Sequence, residues 1–279
     1  MIEHVQHLED VQNRTDGRNV PIDQVGVGDL RYPIRVLDRE HGTQATVAKL
    51  TMSVSLPHHI KGTHMSRFLE VLNDHRSEVT MRTLPRILED LRKRLGAGGA
   101  QVEASFPYFL EREAPVSGAK GLMHYECSFV GELWDSEDAD FVLGVSVPVT
   151  TLCPCSKAIS DYGAHNQRGY VEMEVRSRAT EDGLPEVVWI EELIEVAERS
   201  ASAPVYPLLK RPDERYVTMQ AHDNPTFVED VVRNVAVRLR EDDRIVWFRV
   251  RAENQESIHN HSAFARVEWS RVLDSPRYP

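Results

Sequence analysis

The stretch Phe227-Val228-Glu229-Asp230-Val231-Val232-Arg233-Asn234-Val235-Ala236-Val237-Arg238-Leu239-Arg240, with Ile245-Val246-Trp247-Phe248-Arg249-Val250-Arg251 close behind it, decides the fold class. Val228, Val231, Val232, Val235, Ala236 and Leu239 recur at the three-and-four spacing of an amphipathic helix. From Ile245 the pattern changes to the alternation of a half-buried strand. Upstream lies a second amphipathic run, Trp189–Arg199, with Ile190, Leu193, Ile194 and Ala197 on one side. Strands are predicted before it over Phe141–Val149 and Gly169–Val175, and a last one over Ala263–Val272. The second half therefore reads strand–strand–helix–helix–strand–strand.

The first half repeats that order. Ala48, Leu50, Met52, Val54 and Leu56 alternate as in a strand. Met65, Phe68, Leu69 and Leu72 follow at helical spacing, and so do Leu84, Ile87, Leu88, Leu91 and Leu95. The Gly96–Gly99 stretch stops the second of these helices. Strands are predicted over Gln101–Leu110 and Tyr125–Leu133, and the missing first strand is placed around Tyr32–Leu37. Two ββααββ units without βαβ alternation predict an α+β protein with antiparallel sheets. The expected divisions are a turn-rich arm over residues 1–40, a first module over 41–138 and a second over 139–279. Two connections break the rhythm. His58–His64 lies between strand and helix, and the proline-rich Ser200–Pro225 lies between the two later helices. A connection as long as the second points to function.

The chain has 279 residues, with 33 Lys+Arg against 44 Asp+Glu and a net charge of −11. That balance counts against nucleic acid and anionic membranes as partners, yet allows a local basic pocket for an anionic substrate. No apolar run approaches the length of a membrane span. Three cysteines, Cys127, Cys153 and Cys155, suit a reducing compartment, and a cytoplasmic location is expected.

Leu152-Cys153-Pro154-Cys155-Ser156-Lys157, with His165 beyond it, lacks the second cysteine pair of a structural zinc site. It reads either as two small cysteines at a strand end or as a thiolate ligand with His165 as a second. A catalytic metal site then needs a third ligand from elsewhere. Glu214, in Leu209-Lys210-Arg211-Pro212-Asp213-Glu214, is a candidate, or else a solvated carboxylate. His259 and His261 stand two apart on extended backbone and so point the same way, into one pocket or out to solvent. Thr226-Phe227-Val228-Glu229 fits a capping box in which Glu229 reaches back to Thr226. The same carboxylate could instead accept two parallel donors from a guanine edge. Lys61, His64 and Arg67 lie at a helix start, where free amides and the dipole favour phosphate, although the stretch is no Walker sequence. Cys127 falls on the apolar side of a strand and reads as core.

These residues together resemble the type IB GTP cyclohydrolases of the tunnelling-fold superfamily. The resemblance is carried by His59-Ile60-Lys61-Gly62-Thr63-His64-Met65-Ser66-Arg67, Cys153-Pro154-Cys155-Ser156-Lys157, Tyr162-Gly163-Ala164-His165-Asn166-Gln167-Arg168, Leu208-Leu209-Lys210-Arg211-Pro212-Asp213-Glu214 and Glu256-Ser257-Ile258-His259-Asn260-His261-Ser262-Ala263. It implies two tandem tunnelling-fold modules per subunit and a homotetramer with active sites shared between chains. The implied reaction is hydrolysis of GTP to 7,8-dihydroneopterin triphosphate and formate, the first step of folate biosynthesis. Carried over by motif, Cys153, His165 and Glu214 would ligate a divalent metal, Mn²⁺, Zn²⁺ or Fe²⁺, with Cys155 the alternative thiolate. Cys153, His259 and His261 would form the catalytic group. Glu229 would bind guanine, and Lys61, His64 and Arg67 the triphosphate. The competing expectations are another tunnelling-fold enzyme acting on pterins or deazapurines, or a non-catalytic GTP- or metal-binding protein.

Overall fold

Alternating apolar side chains build one nine-stranded antiparallel sheet within residues 10–75, 78–134 and 139–271, the residues that the computed structural model describes. The first half comprises β1 (Ile22–Asp38), β2 (Gly42–Leu56), α1 (Met65–Asp74), α2 (Leu84–Leu95), β3 (Gly99–Glu113) and β4 (Lys120–Trp134). The second comprises β5 (Asp140–Leu152), α3 (Pro154–Ile159), β6 (Asn166–Ser177), α4 (Ile190–Glu198), β7 (Ala203–Pro204), α5 (Arg211–Asp223), α6 (Val228–Glu241), β8 (Ile245–Asn254) and β9 (Ala263–Ser270). The strands pair in the order β1-β2-β3-β4-β5-β6-β8-β9, and β7 pairs with β5 beyond the stretch that β4 covers. Each half is a ββααββ unit, and α3, β7 and α5 are additions to the second.

Three features differ from the sequence-based expectation. The first strand reaches back from Tyr32–Leu37 to Ile22, into the stretch expected as an arm. Register shifts between Ile22 and Val25 and between Val27 and Leu30, with Asp29 at φ 56°, interrupt the alternation that would have revealed it. The Ser200–Pro225 connection contains α5, whose only buried residues are Asp213 and Ala221, so no apolar stripe announces it. The short α3 follows Cys153, with Pro154 at its first position.

Directly paired side chains share one face of a sheet. The row Cys127, Val145, Met173, Val250 and Val267 crosses five strands in register on the face the helices cover. Gly131 of β4 lies beneath Leu84 and Leu88 of α2 on that same face. The adjacent row, Glu126, Ser146, Glu172, Arg251 and Arg266, takes the opposite face. That face is ionic, with Arg249–Glu174 at 3.1 Å and Arg176–Asp140 at 2.8 Å.

Antiparallel pairing also fixes where the loops emerge. Val54, near the end of β2, pairs with Ala100, which pairs with Leu133 near the end of β4, where β5 is about to begin. The end of β5 at Leu152 therefore lies at the other end of the strands, the length of 13-residue β5 away, about 40 Å at the rise of a strand. The loop after β2 and the loop after β5 leave opposite ends.

Candidate metal and substrate site

The link between β5 and β6 folds Cys153 and His165 together. Cys153 N donates to His165 O at 3.1 Å. Ser156 Oγ donates to Cys153 O at 3.1 Å and accepts from His165 N at 3.2 Å. Cys153 caps α3, and its Sγ accepts from Ser156 N at 3.5 Å. Cys155, on α3 itself, is exposed, whereas Cys153 is half-buried.

His165 Nδ1 lies 2.9 Å from Gln167 Oε1 and 3.4 Å from Ser257 Oγ. Its Nε2 makes no hydrogen bond among the described residues. Gln167 is buried, and its Nε2 donates to Oγ1 of its cross-strand partner Thr151 at 3.0 Å. Gln167 has no role among the sequence-based expectations. The signal available was its position two residues beyond His165 as β6 begins, which directs both side chains to one side.

Two more segments close on this end of the sheet. Gln255 N donates to Arg168 O at 2.9 Å, which brings the β8–β9 turn, with Ser257, alongside His165. In that turn the rings of His259 and His261 stack at 5.2 Å between centroids and 18° between planes, both residues exposed. The rings share a side as expected, but the backbone through them bends and is not extended. Thr226 N donates to Leu152 O at 3.0 Å and sets the first turn of α6 beside the end of β5.

The capping expectation for Glu229 is corrected by that last bond. With its amide committed to Leu152 and its hydroxyl to Asn224 O, Thr226 does not cap. Phe227 takes the cap position, and Asp230 Oδ2 accepts from its amide at 3.3 Å. Glu229, in the first turn, is exposed and makes no hydrogen bond or ion pair among the described residues.

Glu214 sits exposed in the first turn of α5. Its neighbour Asp213 is fully buried and accepts from Val116 N, Ser117 N and Lys210 N at 2.8 Å each and from Ser117 Oγ at 2.6 Å. Burial alone would raise its pKa, but these donors outweigh it and hold the carboxyl below the usual range. They also pin α5 to the β3–β4 turn. Among the described residues no three His, Cys, Asp or Glu side chains gather closely enough to hold a metal ion. A half-buried thiol and an imidazole nitrogen without a partner fit two corners of a divalent site; Glu214 of the same chain does not join them.

The expected phosphate-binding residues lie elsewhere. The loop that carries Lys61 and His64 leaves the sheet at the end away from Cys153. An N-terminal strap runs along it, with Asp16 N to His59 O at 3.0 Å, Lys61 N to Arg14 O at 3.0 Å and Gly62 N to Gln12 O at 3.1 Å. His64 Nε2 lies 3.2 Å from Asp10 Oδ2. Arg67 Nη1 donates to Arg94 O in the last turn of α2 at 3.1 Å. Cys127 is buried, and burial raises its thiol pKa, as befits a core residue.

The family described as type I GTP cyclohydrolase folE2 matches residues 8–265. The chain is 52% identical over 261 residues to the GTP cyclohydrolase FolE2 of Geotalea uraniireducens, covering 94% of this chain and 93% of that one. It is 53% identical over 262 residues to the GTP cyclohydrolase FolE2 of Syntrophotalea carbinolica, covering 94% and 95%. Among solved structures, uricase from Arthrobacter globiformis matches with a TM-score of 0.53 at 10% identity, over 92% of this chain and 96% of that one. A urate oxidase from Bacillus sp. TB-90 matches with a TM-score of 0.53 at 9% identity, over 89% and 100%. At such identity these two likenesses concern the fold alone, and they agree with tandem tunnelling-fold modules.

Proposed function

Because the chain belongs to the type I GTP cyclohydrolase folE2 family and is a GTP cyclohydrolase of folate biosynthesis, we propose that it hydrolyses GTP to 7,8-dihydroneopterin triphosphate and formate at the end of the sheet where β5 meets β6. One observation carries this location. Segments far apart in sequence, at Cys153, His165, Thr226 and Ser257, are tied to that end by hydrogen bonds.

Cys153 and His165 would hold a divalent cation there, Mn²⁺, Zn²⁺ or Fe²⁺, with Glu214 from a second copy of the chain as the completing carboxylate, since Glu214 of the same chain does not join them. A cation so bound supplies Lewis acidity, which lowers the pKa of water to about 7. His259 and His261, side by side in the turn, exchange protons with the guanine imidazole ring as it opens, a task imidazoles perform near neutral pH. Glu229, released from capping, accepts hydrogen bonds from the ring N–H and exocyclic amine of guanine. Lys61, His64 and Arg67 bind the triphosphate, Arg67 through the donors left beside the Nη1 hydrogen held by Arg94 O.

One chain cannot offer the phosphate loop and the Cys153 end to the same nucleotide, because they emerge about 40 Å apart along β5. That separation supports active sites shared between subunits of a homotetramer. So does the outer face of α5, where half-exposed Tyr216 and Met219 border a cleft of about 550 Å³. A cytoplasmic location accords with three free thiols and with the lack, among the described residues, of a helix long and apolar enough to cross a membrane.

The test is GTP turnover by metal-stripped protein with Mn²⁺, Zn²⁺ or Fe²⁺ restored, following formate and dihydroneopterin triphosphate together. Release of both on metal addition is expected. Folded, GTP-binding protein that yields neither product with any of the three metals would overturn the reaction.

A further inference from the structure

We infer that Gln167 is a positioning residue that selects the tautomer of His165 and so leaves Nε2 as the nitrogen able to bind a metal. The inference rests on the reading of His165 as a ligand. A neutral imidazole carries one N–H, and a metal can take only the other nitrogen. Gln167 Oε1, at 2.9 Å from Nδ1, can only accept, so Nδ1 carries the hydrogen and Nε2 keeps its lone pair. Turning the amide over would present its NH₂ to Nδ1, move the hydrogen to Nε2 and remove the ligand.

In the arrangement present the amide oxygen faces the ring and the amide nitrogen faces Thr151. The amide nitrogen of Gln167 is engaged by Thr151 Oγ1 at 3.0 Å. Thr151 is completely buried, Gln167 nearly so, and the two are direct partners across β5 and β6. Ser257 Oγ, 3.4 Å from Nδ1, can accept from the same N–H and does not contradict the arrangement. It comes from an exposed turn, whereas Gln167 comes from the sheet, so Gln167 is the stiffer partner. Outer partners of this kind commonly change metal affinity by 10- to 100-fold.

The experiment compares the full-length wild type with Gln167→Leu, Gln167→Glu and His165→Ala, all metal-stripped and titrated with Zn²⁺ and Mn²⁺ against a competing chelator. The tautomer of His165 in the metal-free wild type is read by long-range ¹H–¹⁵N NMR. The wild type is expected to show Nδ1–H. Gln167→Leu is expected to weaken Zn²⁺ binding by about 10- to 100-fold and to mix the two tautomers. Gln167→Glu keeps an acceptor, and it should retain Nδ1–H and bind within a few-fold of the wild type. Wild-type affinity in folded Gln167→Leu, or Nε2–H in the metal-free wild type, would overturn the inference. Undiminished metal binding by His165→Ala would instead remove the ligand reading beneath it. If Gln167→Leu does not fold, the wild-type tautomer and the behaviour of Gln167→Glu still decide.

Discussion

Thr226 and Glu229 show how one backbone hydrogen bond redistributes the roles of neighbouring carboxylates. By local spacing, Thr226–Glu229 and Phe227–Asp230 are both three apart, and threonine is the better capping residue. With Thr226 N bonded to Leu152 O, the cap falls one residue later, on Phe227, and the carboxylate that reaches back to it is that of Asp230. The two carboxylates should therefore separate by experiment. Glu229→Gln is expected to raise the KM for GTP about tenfold or more, as for a lost charged hydrogen-bond acceptor, with no change in thermal midpoint. Asp230→Ala should lower stability by about 0.3–1.5 kcal/mol and leave KM alone. A stability loss in Glu229→Gln with unchanged KM would reverse the assignment. His259 and His261 were legible as a pair from their two-residue spacing, although their rings stack across a bend of the β8–β9 turn and not along extended backbone. For Gln167 the two-residue spacing from His165 was a local signal, but its second partner, Thr151, comes from the neighbouring strand and was not legible.

Elements that bury an apolar stripe were readable, and those held by polar contacts were not. α1, α2, α4 and α6 all follow the three-and-four rule against the sheet, and α2 ends at Gly96 with φ 62°, the left-handed conformation that glycine adopts readily. α5 has no such stripe and is held by the carboxyl of Asp213 in the β3–β4 turn, a contact 96 residues away in sequence. The packing of α2 is tight enough to test. A Cβ on Gly131 would lie 2.4 Å from Leu84 Cδ2 and 2.8 Å from its Cγ, with Leu88 Cδ1 at 3.3 Å. Both leucines are buried and have little room to move. Gly131→Ala should cost about 1–3 kcal/mol by overpacking, seen as a lower denaturant midpoint with unchanged slope. A midpoint equal to that of the wild type would mean that α2 sits more loosely than its contacts indicate.

At the scale of the whole molecule, strand direction governs function. The sequence places the basic loop in one module and the cysteine motif in the other, but it does not say that they leave the sheet at opposite ends. If each active site joins the two from different subunits, defects in the two groups should complement one another. Cys153→Ala and the double variant Lys61→Ala/His64→Ala, each inactive as homo-oligomers, should regain activity when co-assembled, in about one site in four by random mixing. Mixed oligomers without recovered turnover would argue that each site belongs to one chain. By itself, the sequence determined the ββααββ order, the buried faces and the residues able to do chemistry, because periodicity and side-chain type are local properties. Only the tertiary structure decided that Cys153 and His165 meet, that Glu229 is free, that Gln167 faces a ring nitrogen and that the phosphate loop lies across the sheet. Those outcomes depend on hydrogen bonds and strand directions between segments up to about a hundred residues apart, which no local pattern encodes.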